Sequence, residues 1–301
     1  MILRLALVLL ITPSTFAASL VSSVAASLKS RGDAPVITMS VCGAGRASPA
    51  VVCEALGLSS GSGCTLVDAP TPLALLDSSD EGADGATAAA AADVLALEVR
   101  FADLVERTAH GLGQLQPLLQ RSVRLRDLRP QPKLLLLTVT DYDASAVSEA
   151  DVQAFAQAQI EELVSALSLP AEEPALTAAD LLQLHCFFLP SKTASPDGYE
   201  SALSKLGDAL TNDASSSYLL SDSKWMQQAS KVVATVGQAA ERAPAAPPSA
   251  SPAEVHAAYQ CGLLAEAAAR EFQKGASALR KAADGTLVRV TASRLFFSRP
   301  L

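Results

Sequence analysis

Residues 133–141 read KLLLLTVTD. Four consecutive leucines run into Thr-Val-Thr with no polar residue alternating among them. A strand with one wet face alternates apolar and polar side chains. One without alternation is buried on both faces, as a central strand of a largely parallel sheet is. The stretch is therefore expected to be the central strand, with Asp141 at its carboxyl tip.

Working outward, short β-branched or apolar runs at residues 36–41, 65–67, 94–99 and 184–189 read as further strands. Helical spacing lies between them. Residues 48–56 stop at Gly57, a C-cap glycine. Residues 104–125 carry a helical period that restarts near Gly111–Gly113. Ser148 and Asp151 form a capping box ahead of Val152, Phe155, Ile160, Leu163, Val164 and Leu167 on one face. Thr177 and Asp180 make a second box, and helices are expected over 199–210 and 223–242. Residues 69–86, with Pro70, Pro72 and an acidic glycine-bearing run, read as loop. Strands alternating with helices give an α/β fold, a doubly wound and mostly parallel sheet of the P-loop GTPase type. Residues 243–252 (APAAPPSASP) are a Pro/Ala/Ser linker. Residues 253–301 follow as a helical extension, its helix opened by Ser251-Pro252 with the proline at the first helical position, and a tail with the strand-like run 287–297.

Composition narrows the function. Of 301 residues, 50% are hydrophobic and only 4% aromatic, so helices packed through alanine are expected over a core of large rings. A net charge of −8 argues against a nucleic-acid partner, which needs a basic face to displace counterions. The five cysteines and three histidines are scattered, with no pair at metal-ligand spacing. They read as packing residues, His185 inside an apolar strand among them. At the N-terminus, Arg4, an apolar core over 5–11 and small residues at 15–17 form a signal-like segment, residues 1–18. The core is shorter than the ~20 residues of a membrane span. Residues 19–34, rich in Ser and Ala, read either as disordered or as the transit half of a bipartite plastid signal.

Ligands of open α/β sheets bind beyond the carboxyl ends of the strands, and three such ends are informative. Gly43-Ala44-Gly45-Arg46-Ala47-Ser48 joins a strand to a helix. Such a loop either presents backbone N–H groups to a phosphate or is a tight turn. A working phosphate loop needs Gly-Lys-Ser/Thr. Here the Gly-Lys pair is missing, and neither Arg46 nor Ser48 sits at the right offset. Asp68 follows the 65–67 strand, where an acidic residue holds magnesium in nucleotide hydrolases, although the glycine three residues on is Thr71. Asp141 at the tip of 133–140 suits recognition of the guanine N1 and N2 hydrogens by two carboxylate oxygens.

The order of these pieces matches a GTPase domain. CTLVD (64–68), ADVLALEVRFAD (92–103), LGQLQPLLQRSVRL (112–125), KLLLLTVTD (133–141), FFLPS (187–191) and SKWMQQASKVV (223–233) occur in sequence. Together they resemble the G domain of the guanylate-binding-protein class of dynamin-like GTPases, closest to its plant and fungal atlastin-like branch, the root-hair-defective and synthetic-enhancement-of-yop proteins. The resemblance covers residues 36–283 and implies a G domain over 35–242 with GTP and magnesium as ligands. The chain departs from the family where chemistry is done: the phosphate-loop Lys and Ser are absent, and Thr140 replaces the arginine before the guanine-reading Asp. With only seven residues between Gly57 and Thr65, the first switch and its edge strand read as deleted.

Gly43, Gly45, Arg46, Ser48, Asp68 and Asp141 are thus the nucleotide-site candidates, in degenerate form; no catalytic residue and no metal ligand is expected. The expected function is a non-hydrolysing interaction module that self-associates or meets a protein partner, related to GTPases that shape and fuse the endoplasmic reticulum. Membrane association would then run through that partner. Two alternatives stand beside it: a divergent GTP-binding membrane-remodelling GTPase from an incomplete gene model, and a secreted or plastid helical protein whose resemblance is fortuitous. The expected location is the secretory pathway or endoplasmic reticulum, or a plastid.

Overall fold

The leucine run becomes β5 (Lys133–Thr140), and every residue but Thr140 is buried. It lies between β4 (Val94–Arg100) and β6 (Leu182–Phe188), parallel to both. A computed structural model describes residues 15–43, 51–58, 64–77, 83–108, 111–128, 130–167 and 176–242, all within one compact unit. Beyond β4 come β1 (Pro35–Gly43), β3 (Leu73–Asp77) and β2 (Cys64–Val67), giving the order β2-β3-β1-β4-β5-β6. Every neighbour on this path is parallel except β2, which runs antiparallel to β3. A short β7 (Met226–Gln228) pairs antiparallel with Pro35–Ile37, on the side of β1 that β4 takes up from Met39. The fold is a doubly wound α/β sheet, mostly parallel as read.

Helices cover both faces. On one, Ile37, Met39, Val41, Leu73, Leu75, Val94, Ala96, Leu134 and Leu136 pack with α2 (Val51–Ala55), α8 (Pro196–Thr211) and Trp225. The alternate residues of the strands meet the other layer: α1 (Thr15–Leu28), α3 (Ala83–Ala91), α5 (Leu115–Arg124) and α9 (Ala229–Arg242), with α6 (Glu149–Ser165) against β6. Thr87 through Ala92 are buried without interruption, because small side chains let α3 lie close to β1, α5 and α9 at once. The first capping box forms as read: the Ser148 hydroxyl accepts from the Asp151 N–H at 3.2 Å and starts α6. The second starts the short α7 (Ala178–Leu181).

Three sequence expectations change. Residues 19–34 are not disordered. Most of them form α1, whose Leu20, Val24 and Leu28 are buried at i, i+4, i+8 spacing. Each such burial contributes roughly 1.5–3 kcal/mol. The 69–86 loop contains β3, so β2 is an edge strand in a β2–β3 hairpin and was not deleted. The 104–125 period is interrupted as read: α4 (Phe101–Val105) ends, Arg107 turns the chain at φ 53°, and α5 begins at Leu115. The 223–242 segment starts as a 3-10 turn and β7 before α9 begins at Ala229.

The amino ends of β1, β4 and β7 are tied by one buried carboxylate. Asp93 accepts from the Thr38 N–H at 3.1 Å, the Thr38 hydroxyl at 2.6 Å and the Gln227 amide at 2.8 and 3.0 Å. Nearby, the buried Lys133 amine donates to the Ala90 and Ala92 carbonyls at 2.8 and 2.5 Å. Residues 1–14, the 243–252 linker, the 253–301 extension and its 287–297 run lie outside the described residues.

Candidate functional site

The carboxyl edge of the sheet is where this fold offers a site. Gly43 ends β1 in register with Glu98 of β4, and Val41 is in register with Asp77, the last residue of β3. Arg100 and Thr140 end β4 and β5 side by side. Of the candidates read from sequence, Gly43 and Asp141 stand at this edge. Gly45, Arg46 and Ser48 lie outside the described residues.

Asp68 does not belong with them. Because β2 runs antiparallel to β3, its last residue, Val67, pairs with Leu73, the residue in register with Ile37 in the amino half of β1. Asp68 therefore sits at the opposite end of the sheet. There its carboxylate is fully exposed, 3.5 Å from the Arg31 guanidinium. The acidic residue at the carboxyl end of this part of the sheet is Asp77. It was hidden because its strand read as loop, and it is followed by Ser-Ser-Asp with no glycine three residues on.

Asp141 leaves β5 with φ 54°, a left-handed turn that Asp tolerates better than most residues. The chain beyond it is held. Tyr142 donates its N–H to the Leu189 carbonyl at 3.0 Å and its hydroxyl to the Val147 carbonyl at 2.5 Å. Its ring sits between Phe101 and Phe188, with centroids 5.9 and 4.8 Å away. The tip of β5 is thus fixed while Asp141 itself faces solvent.

Two glutamates missing from the sequence reading complete the edge. Glu98 projects from β4 to the start of α2, where its Oε2 accepts the Val51 N–H at 3.1 Å. Burial pushes its carboxyl above the usual carboxylate range, and the charges of Glu54 and Asp141 push the same way. Glu54, on α2, accepts from the Lys192 amine at 2.6 Å and the Tyr199 hydroxyl at 3.0 Å. The hydrogen bond from Lys192 holds the Glu54 carboxyl below its ordinary value. The Lys192 amine also lies 5.1 Å over the Tyr199 ring. These contacts clamp α2 to α8, and Gly207 permits the approach: a Cβ there would stand 2.7 Å from the Ala55 carbonyl.

Among the described residues the fit to a nucleotide is poor. A phosphate held after β1 uses backbone N–H groups at the start of the following helix and a nearby cation. Here one such N–H is taken by a carboxylate of the same chain. The described residues facing this end include Glu54, Glu98 and Asp141, with Arg100 ending β4 among them, and the Lys192 amine is paired with Glu54. Negative side chains oppose a polyphosphate, all the more where burial lowers the effective dielectric. No three His, Cys, Asp or Glu among the described residues come together as a metal-holding group. No protein-family model matches this chain, and no curated protein matches it.

Proposed function

We propose that this protein is a GTPase-like domain that no longer hydrolyses GTP and works as an interaction module. The observation that carries the reading is the Glu98–Val51 bond. It fills the helix start after β1 with the protein's own carboxylate. A mostly parallel sheet with its one antiparallel edge strand second in the chain is compatible with the GTPase-type domain that the sequence resembles. Phosphoryl transfer is positioning plus charge stabilisation. A site that offers carboxylates, without the phosphate-loop lysine and the magnesium hydroxyl, supplies neither.

On this reading the surviving Asp141 is a remnant of base recognition, and partners are met through protein surfaces. Protein contacts at the endoplasmic reticulum follow from the family resemblance. No helix among the described residues is long and apolar enough to cross a membrane. A single-turnover phosphate-release assay on the full chain with magnesium and GTP tests the proposal. Release no faster than in protein-free buffer is expected. Saturable release that the Asp141→Ala variant abolishes would overturn it in favour of a divergent GTPase.

A further inference from the structure

Helix α1 belongs to the domain from its second turn on. Among the described side chains burial begins at Leu20 and recurs at Val24 and Leu28, on a helix that packs against α9, α3 and β2. Its polar residues are used as well. The Ser23 hydroxyl accepts the Cys64 N–H at 2.9 Å, and Ser27 donates to the Cys64 carbonyl at 3.2 Å, so α1 covers the outer backbone of β2. The chain then stays tied down as far as β1. Ser230 donates its hydroxyl to Asp33 at 2.6 Å, and Ala229 its N–H to the Ala34 carbonyl at 3.1 Å.

Immediately ahead of Leu20 the sequence carries the marks of a removable leader. Arg4, the apolar core 5–11 and Pro13 lead to Thr15-Phe16-Ala17-Ala18-Ser19. Signal-type cleavage asks for small residues at the first and third positions before the cut. Thr15 with Ala17 meets that rule, as does Ala17 with Ser19, and both cuts leave Leu20, Val24 and Leu28 in place. Sequence alone allows later cuts too, such as one after Ala25 with Ser23 two residues before it. That cut would strip two of the three buried side chains and the Ser23 contact. Removal of 19–34 as a transit half would take all three, and the cover of β2 with them. The packing of α1 thus selects among cuts that the sequence leaves equal.

We propose that the chain is cut once, after Ala17 or after Ser19, and that α1 stays as the first element of the mature protein in the lumen of the secretory pathway. The cut comes before folding, since a helix has already spent the backbone groups that a peptidase engages in an extended segment. From Leu20 to Leu28 the mature helix keeps about two and a half turns. Processing of this kind fixes the compartment and is independent of the nucleotide site.

Mass spectrometry of the N-terminal peptide tests it, on the full chain expressed in a host whose plastids are reached through the secretory pathway, so that both routes are open. A mature chain beginning at Ala18 or Leu20 is expected. Ala17→Arg combined with Ser19→Arg removes the small residue before either cut and should leave the leader attached. Val24→Asp combined with Leu28→Asp should be cut at the same bond as the wild type yet fail to accumulate as soluble protein. A chain that retains residues 1–14, or one that begins beyond Leu20, would overturn the proposal. So would an arginine variant cut at the wild-type bond, or an aspartate variant that accumulates as the wild type does.

Discussion

Glu98 shows how one side chain shapes the site, and its sign can be worked out. Its folded-state pKa lies above the unfolded value near 4.5, chiefly through burial. The native state therefore holds that proton more tightly than the unfolded chain does. Stability drawn from this group falls as pH rises from the unfolded value through the raised folded value. Glu98→Gln keeps an oxygen for the Val51 N–H and removes the charge. Its Tm should exceed that of the wild type at pH 7, with the gap closing below about pH 4.5; a gap that widens in acid would refute this. Glu54 has the opposite sign. Its Lys192 partner lowers the pKa, so its contribution is present above that pH and is lost as pH falls through the lowered value. Asp93→Ala should cost about 3 kcal/mol in urea unfolding, because it strips several charged hydrogen bonds from a buried site. Sequence made Asp141 legible, since a continuous apolar run ending in Asp announces a strand tip. It left Glu98 unnoticed, although a glutamate within VLALEVR is the kind of polar intruder that marks a site. Asp68 was misassigned because strand direction cannot be read from four residues.

Among the elements, β5, β4, α6 and both capping boxes were legible because length, burial and period agree there. The stretch LALLD of β3 was not. Two prolines before it and an acidic run after it carry the signals of a loop, while the pairing that makes it a strand comes from β1 and β2. Helix α1 was obscured by its Ser/Ala composition, although Leu20, Val24 and Leu28 already stood on one face. That helix seals the β2 edge and part of the core, which gives a direct test by truncation. Removing residues 1–17 should leave a cooperatively folding chain. Removing residues 1–33 should lower the urea midpoint sharply or leave the chain insoluble, the loss of three buried aliphatic side chains alone amounting to roughly 5–9 kcal/mol by area. Equal stability of the two truncations would show that α1 is dispensable. A milder probe is Gly207→Ala, which sets a methyl against the Ala55 carbonyl. It should lower Tm by pushing α2 from α8, where an exposed helix Gly→Ala change would raise it.

For the whole molecule, the carboxyl edge of the sheet, where this fold offers a site, brings Glu54, Glu98 and Asp141 together with Arg100 at the end of β4. The parallel architecture was legible because alternation of strand and helix is a property of the whole chain and survives local misreadings such as the 69–86 loop. The state of the site was only half legible. A missing lysine can be seen in sequence, whereas a carboxylate seated on the helix start appears only once β4 and α2 are side by side. Isothermal titration calorimetry of GTP into the full chain with magnesium tests this most directly. No saturable heat is expected up to millimolar nucleotide, for the wild type and for Asp141→Ala alike. Micromolar, magnesium-dependent binding that Asp141→Ala weakens would contradict it.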